Sequence, residues 1–151
     1  MKIKLSFILL SFILTVKINA QDIYQGDLQI NAGVDLLTSP SGTPLTNIEN
    51  RLRGDLDFNY FLQDRFSLGV GFDYSTQLNR TGFSPGIRYY WLDQAFFRSK
   101  LNIAMDFSDF DVSTGLGYNY MFSDNWGLES NLDYFIKSEK AAFRMGIAVF
   151  I

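Results

Sequence analysis

Two pairs of acidic residues are the clearest candidates for acid–base chemistry in this chain. Asp55 and Asp57 are two residues apart, as are Asp109 and Asp111, and in a strand each pair shares one face. The chain has no histidine and no cysteine, so a serine nucleophile would lack its usual general base and a thiolate is excluded. Carboxylates that are solvated or paired with arginine are the commoner case. The sequence therefore predicts a protein that is not an enzyme and that holds no cofactor or metal.

The composition indicates one domain that is rich in apolar and aromatic residues and poor in charged ones. The 151 residues are 47% hydrophobic and 17% aromatic. Charged residues make up 19%, which is below the quarter typical of a soluble domain. The net charge is −3, so no affinity for nucleic acid is expected.

The first 20 residues have the pattern of an export signal. A basic start, MKIK, precedes the apolar run LSFILLSFILTV, and KINA supplies small residues for cleavage before Gln21. The apolar run is too short for a membrane-spanning helix, which needs about 20 residues. We predict a signal peptide at 1–20 and one domain at 21–151. Loss of Lys2, Lys4 and Lys17 leaves 10 basic and 16 acidic residues, a net charge of −6.

Polar and apolar residues alternate along most of the remaining chain, which is typical of strands with two different faces. This pattern predicts eight strands, at 28–36, 51–60, 66–74, 83–91, 97–107, 110–120, 126–134 and 141–151. Short turns are predicted at 61–64, 92–94 and 122–125, and the other connections at 38–47, 76–81, 108–109 and 137–140. Consecutive antiparallel hairpins of this number can close into an up-and-down β-barrel. The predicted fold is therefore all-β.

One stretch of the sequence occurs twice. NYFLQDRFSLGVGFDY at 59–74 and NYMFSDNWGLESNLDY at 119–134 match at 6 of 16 positions. A shift of 60 residues corresponds to four strands, or half of an eight-stranded ring. The repeat predicts two equivalent hairpins on opposite sides of the barrel, and a shared turn explains it better than a duplicated binding motif.

The two strand faces differ in charge, and this difference predicts a membrane barrel. The apolar face of the eight strands carries no charged residue. The opposite face carries the charges together with Gly33, Gly69, Gly71, Gly86, Gly115, Gly117, Gly127 and Gly146. An eight-stranded barrel has an interior just wide enough for side chains, so small residues belong inside with the charges. The bulky apolar face then lies outside, where lipid is the suitable solvent.

Aromatic residues collect near both predicted strand ends, as expected of interfacial girdles. Those near the short turns are Tyr60, Phe61, Phe66, Tyr89, Trp91, Phe97, Tyr120, Phe122 and Trp126. Those near the other end are Tyr74, Phe83, Phe107, Phe110, Tyr134 and Phe135. Pro85 cannot donate to a ladder, and we predict a bulge beside Gly86 to accommodate it.

With these features, the chain resembles the small eight-stranded outer-membrane β-barrels, the outer membrane protein β-barrel domain family. The resemblance covers 21–151 and rests on the signal peptide, YFLQDRFSLGVGFDY, FSPGIRYYW (83–91) and the final strand FRMGIAVFI (143–151). It implies a location in the outer membrane of a Gram-negative envelope, contact with outer-membrane lipid and insertion by the barrel assembly machinery. That machinery reads the last strand, which usually ends in an aromatic residue. Here Phe150 is one place early and is predicted to face inward.

Inward charges of both signs predict a lumen that is closed by ion pairs rather than by an apolar plug. The predicted network consists of Arg51, Arg53, Asp55, Asp57, Asp73, Arg88, Arg98, Lys100, Asp106, Asp111, Glu129, Asp133 and Arg144. Open aqueous channels need about 16 strands, so a structural or surface-interaction role is favoured. The alternative is a porin-like role, as a narrow pore or passage for small ions or small apolar molecules. The surface partner is not identified by the sequence.

Overall fold

The computed structural model describes residues 23–40, 53–75 and 80–151. Eight strands account for most of these residues. They are β1 (Leu28–Pro40), β2 (Arg53–Gln63), β3 (Phe66–Ser75), β4 (Arg80–Tyr90), β5 (Ala95–Ala104), β6 (Phe110–Met121), β7 (Trp126–Phe135) and β8 (Lys140–Phe150). Within the described ranges, no helix has the length and apolar character needed to cross a membrane. The predicted signal peptide lies outside the described residues and stays a prediction.

The strands form a closed antiparallel barrel in which each strand pairs with its neighbours in sequence. The ring closes between β1 and β8, where Gly33 pairs with Gly146. The predicted all-β, eight-stranded, up-and-down barrel is confirmed. Strand ends differ from the prediction by a few residues, and β5 ends at Ala104 rather than at residue 107.

The outward face is apolar and the inward face is polar, as the alternation predicts. Exposed side chains in mid-strand positions include Val34, Leu56, Leu68, Val70, Phe72, Ile87, Leu101, Leu116, Leu132 and Ile147. Polar side chains that are buried include Gln29, Asn31, Asp57, Asn59, Arg88, Arg98, Asn119, Glu129, Asp133 and Arg144. This distribution is the reverse of that in a soluble domain.

Two outward serines donate hydrogen bonds to the barrel backbone. Ser99 Oγ donates to the Ser113 carbonyl at 3.3 Å, and Ser130 Oγ donates to the Tyr118 carbonyl at 3.4 Å. A hydroxyl with an internal acceptor costs less to place in lipid than one without. The outward face therefore remains compatible with a hydrocarbon environment.

Inward glycines lie opposite inward polar side chains on the adjacent strand. Asp57 pairs with Gly71, and the space that a Cβ on Gly71 would need is taken by the Asp57 carboxylate and Ser84 Oγ. The same arrangement holds for Gly33 with Asp55, Gly69 with Asn59, Gly82 with Asp73, Gly86 with Lys100, Gly115 with Asp133 and Gly117 with Asn131. The glycines thus make room for the charges in a narrow lumen, as predicted.

The predicted bulge beside Gly86 is wrong. Pro85 pairs with Val70 of β3 in unbroken register. On the other side, the β4–β5 ladder keeps its register but has no paired residues between Phe83–Ile103 and Gly86–Lys100. Because proline lacks an N–H, the ladder is interrupted locally instead of being shifted. The register shifts in the barrel lie between Asp35 and Leu37 and between Phe61 and Gln63.

The two copies of the repeated stretch occupy equivalent hairpins, β2–β3 and β6–β7. Asn59 and Asn119 are both buried in the lumen, whereas Tyr60 and Tyr120 are both exposed on the outer surface. The repeat therefore encodes the same local structure twice, on opposite sides of the ring.

Candidate functional site

The interior of the barrel is the candidate functional site, and it contains two successive layers of side chains. We call the end with the connections at 64–65, 91–94 and 122–125 the short-turn end, and the opposite end the long-turn end. Apolar residues fill the lumen at the short-turn end. Above them lies the ion-pair layer, defined as Asp35, Asp55, Asp57, Arg88, Arg98, Lys100, Glu129, Asp133 and Arg144.

Arg88 occupies the part of the ion-pair layer nearest the apolar residues. Its Nη1 lies 2.6 Å from Glu129 Oε2, and its Nη2 donates to Glu129 Oε1 at 3.1 Å. The guanidinium carbon stands 4.1 Å from the ring centroid of Phe96. Arg88 also donates to Gln29 Oε1 at 3.0 Å and to the Tyr90 hydroxyl at 3.3 Å. This bidentate, stacked geometry suits arginine and would not suit lysine.

Arg98 links three carboxylates from two other strands. It donates from Nε to Asp133 Oδ1 at 2.9 Å, and its Nη2 pairs with Asp133 Oδ2. Its Nη1 lies 3.5 Å from Asp57 Oδ2 and 3.8 Å from Glu129 Oε1. The Arg88 and Arg98 pairs therefore share Glu129 and form one connected network.

Lys100 and Arg144 continue the network toward the long-turn end. Lys100 Nζ lies 2.5 Å from Asp57 Oδ2 and 3.9 Å from Asp55 Oδ2. Arg144 Nε donates to Asp35 Oδ1 at 2.7 Å, and its Nη1 pairs with Asp55. Asp35 carries an inward charge but was left out of the predicted network. Its position on the charged face of β1 was a signal that could have included it.

Four described residues of the predicted network, Arg53, Asp73, Asp106 and Asp111, are not part of this layer. Asp106 is exposed in the β5–β6 turn and accepts hydrogen bonds from Ser108, because β5 ends before it. Asp111 lies at the mouth and accepts hydrogen bonds from the backbone of Lys137 and Ser138. Arg51 lies outside the described residues. Arg53 and Asp73 form a separate, partly exposed pair at the long-turn end, with Nη2 2.9 Å from Oδ1.

The acidic pairs that suggested acid–base chemistry are engaged in ion pairs or turn contacts. Asp55 and Asp57 both face Lys100, and Asp109 pairs with Lys137 Nζ at 2.7 Å. Among the described residues, no group of three or more side chains could hold a metal ion. These surroundings favour a structural role for the carboxylates.

An apolar layer lies in the lumen at the short-turn end, and the sequence did not predict it. Its members are Ile23, Phe61, Tyr90, Phe96, Met121, Ala148 and Phe150. Phe61 was assigned to the aromatic girdle but is 0% exposed, because β2 continues to Gln63 and keeps Phe61 on the inward face. Phe135 is likewise buried at the long-turn end, since β7 includes it. The lumen therefore contains an apolar layer in addition to the predicted ion pairs, and its closure by ion pairs stays a prediction.

Ile23 belongs to a segment that precedes the barrel, which we call the N-terminal strap (residues 23–27). Gly26 N donates to the Phe61 carbonyl at 2.8 Å, and Gln25 N donates to Asp64 Oδ1 at 3.0 Å. Tyr24 N donates to Asp27 Oδ2 at 2.9 Å. Gly26 has a φ of 100°, a conformation that glycine adopts without strain. These bonds hold the strap across the short-turn mouth.

At the long-turn end the lumen widens into a cavity of about 240 Å³, which we call the vestibule. Its lining includes Arg53, Asp73, Asn102, Phe135 and Lys140. The Arg53 guanidinium lies 5.5 Å from the centroid of the Phe135 ring. Asp35, which pairs with Arg144, also lines the vestibule, so its floor adjoins the ion-pair layer.

No protein-family model matches the chain, and no curated protein matches it. Solved structures, by contrast, share its fold. A de novo designed transmembrane β-barrel is 15% identical with a TM-score of 0.68, covering 87% of this chain and 100% of the design. The N-terminal β-barrel domain of Pseudomonas aeruginosa OprF is 14% identical with a TM-score of 0.63, covering 84% of this chain and 98% of that domain.

The attachment invasion locus protein Ail of Yersinia pestis has the same architecture. It is 10% identical with a TM-score of 0.55, and the match covers 84% of this chain and 99% of Ail. At such low identities the likeness concerns the fold. The chain has the fold of the small eight-stranded outer-membrane β-barrels, as the sequence predicted.

Proposed function

We propose that the chain is an integral outer-membrane β-barrel protein without enzymatic activity, which acts as a rigid scaffold with a closed lumen. The observation that carries the proposal is the filling of the lumen by two layers in series. Arg88, Glu129 and Arg98 are each at most 2% exposed, and the apolar layer below them includes three aromatic residues with no exposed surface. Hydrated ions would have to break buried ion pairs and then cross an apolar layer.

The apolar exterior supports a position in lipid. Mid-strand side chains on the outer face are large and uncharged, and they would form an aggregation-prone surface in water. The final strand, Lys140–Phe150, is the part of the chain that the barrel assembly machinery would read. Phe150 is buried in the lumen, and the next side chain, that of Ile151, is exposed.

The surface role would fall to the turns of the long-turn end. Asp111 joins two of these turns, because it lies at the start of β6 and accepts hydrogen bonds from Lys137 N at 2.8 Å and Ser138 N at 3.1 Å. Phe107 and Ile136 are exposed beside this junction. A fixed rim of this kind suits contact with a surface partner or with lipopolysaccharide.

The alternative is a narrow pore or a passage for small ions or small apolar molecules. The observation in its favour is the vestibule of about 240 Å³, which gives a small molecule room to enter from the long-turn end. In this alternative the ion-pair layer would have to open during passage.

Conductance of the refolded protein in a planar lipid bilayer tests the proposal. We expect no steady conductance from the wild-type barrel, because both layers stay in place. Steady channels of uniform size would contradict the closed lumen and favour the alternative. Insertion of the same sample into lipid is checked in parallel by protection of the barrel from protease.

A further inference from the structure

The N-terminal strap combines features that differ from those of the strands around it. Ile23 is 6% exposed and packs in the apolar layer, whereas the adjacent Tyr24 is 57% exposed. The strap forms no strand, and its contacts to the barrel include two backbone bonds with Phe61, from Gly26 N and to the Asp27 carbonyl, and one to the Asp64 carboxylate. These bonds hold the strap outside the strand ladders, and the strap places an aliphatic side chain in the mouth of the lumen.

The part of the lumen next to the strap is lined by apolar and aromatic side chains. Phe61 and Tyr90 have ring centroids 5.9 Å apart, and Tyr90 and Phe96 have centroids 5.0 Å apart. Met121, Ala148 and Phe150 complete the cluster to which Ile23 belongs. Withdrawal of Ile23 would bring water to this group while leaving the eight strands and their ladders intact.

We infer that the N-terminal strap is a removable seal of the short-turn mouth, in series with the ion-pair layer. Ile23 acts as the stopper, and the Phe61 carbonyl and the Asp64 carboxylate hold it in place. When the strap leaves, the apolar layer becomes accessible from the short-turn side, and the ion-pair layer still blocks ions. This inference rests on the proposed closed lumen, because a seal formed by the strap matters only if the ion-pair layer also blocks the lumen.

Because the chain contains no cysteine, a single introduced thiol reports access to the apolar layer. The full chain with Met121→Cys is refolded into lipid vesicles, and the rate of modification by a small charged thiol reagent is measured. The same measurement is made with Ile23→Asp added, which places a carboxylate in an apolar site, and with Tyr24→Asp added as the matched control. We expect Ile23→Asp to raise the modification rate by about tenfold or more, because burial of an unpaired carboxylate is strongly unfavourable. Tyr24→Asp should leave the rate unchanged.

The outcomes separate the inference from the function on which it rests. If the Ile23→Asp variant folds and its modification rate is unchanged, the strap does not seal the apolar layer. If the Ile23→Asp variant conducts steadily while the wild type does not, the ion-pair layer does not block ions once the strap has left, and the claim of two seals in series is wrong. Steady conductance of the wild type would instead overturn the closed lumen itself. If Ile23→Asp does not fold, Asp64→Ala decides the question: faster modification supports the strap, and an unchanged rate rejects it.

Discussion

Arg88 and Glu129 lie on strands β4 and β7, and their side chains meet across the lumen with Nη1 2.6 Å from Oε2. Arg65 and Asp93 form an ion pair of nearly the same length, 2.7 Å, but on the surface of the short-turn end. The side chains of the first pair are 1% and 3% exposed, and those of the second are 49% and 47% exposed. The two pairs therefore allow an arginine–carboxylate ion pair in the buried lumen to be compared with one on the exposed surface.

Arg88→Ala should destabilise the barrel strongly, because Glu129 would remain buried without its bidentate partner. Removal of one member of a buried pair typically costs about 3–5 kcal/mol. The matched control Arg65→Ala should cost about 0–1 kcal/mol, since its partner is hydrated. Urea unfolding of each variant in lipid vesicles measures both values. Equal effects of the two substitutions would contradict the structural role of the ion-pair layer.

Arg88→Ala should not open the lumen, because the apolar layer lies beyond it toward the short-turn end. The variant is therefore expected to show no steady conductance in a planar bilayer. A conducting Arg88→Ala barrel would show that the apolar layer does not exclude ions.

Gly86→Ala should destabilise the barrel, because a Cβ at this position would lie 2.6 Å from the Ser99 carbonyl oxygen and 2.8 Å from Lys100 Cγ. Overpacking of this kind costs about 1–3 kcal/mol. Gly54→Ala is the control, since Gly54 faces outward and its nearest atom would be the Gly33 carbonyl oxygen at 3.9 Å. Thermal unfolding should separate the two variants clearly. A Gly54→Ala barrel that is as unstable as Gly86→Ala would contradict the assignment of the faces.

Val70→Arg should hinder insertion into bilayers, because Val70 lies outward in the middle of β3. An arginine at the midplane costs about 2–4 kcal/mol, and one near the interface costs about 0–1 kcal/mol. Tyr74→Arg, on the same face near the end of β3, is the corresponding rim variant and should insert almost normally. Folding yields in vesicles of defined thickness give the comparison. If Val70→Arg folds as well as Tyr74→Arg, β3 does not cross the hydrocarbon layer as described.

The barrel should resist detergent at room temperature and unfold when boiled. Closure between β1 and β8 leaves no unpaired edge strand in the ring, so unfolding requires loss of the whole ladder system. Boiled and unboiled samples are expected to migrate differently on a detergent gel, with β-rich circular dichroism before boiling. A protein that stays monomeric and folded in water without detergent would contradict the membrane assignment.

The alternation of polar and apolar residues determined the fold and showed which face of nearly every strand points into the lumen. Because successive side chains in a strand point to opposite faces, a charge-free phase in eight strands leaves one orientation that suits lipid. The inward orientation of Phe61 and Phe135 was not predicted, and the reason is local. Each lies just past the predicted end of its strand, where propensity does not fix the boundary, and each strand continues far enough to bury the ring.

The pairing of charges across the lumen was decided by the tertiary structure. Arg144 meets Asp35 from 109 positions away, and Arg98 meets Asp133 from 35 positions away. Strand alternation places all four inward, but ring closure and strand stagger set which of them stand at the same height. The separation of an apolar layer from an ion-pair layer has the same origin, because the height of each side chain in the lumen follows from the register of all eight strands together.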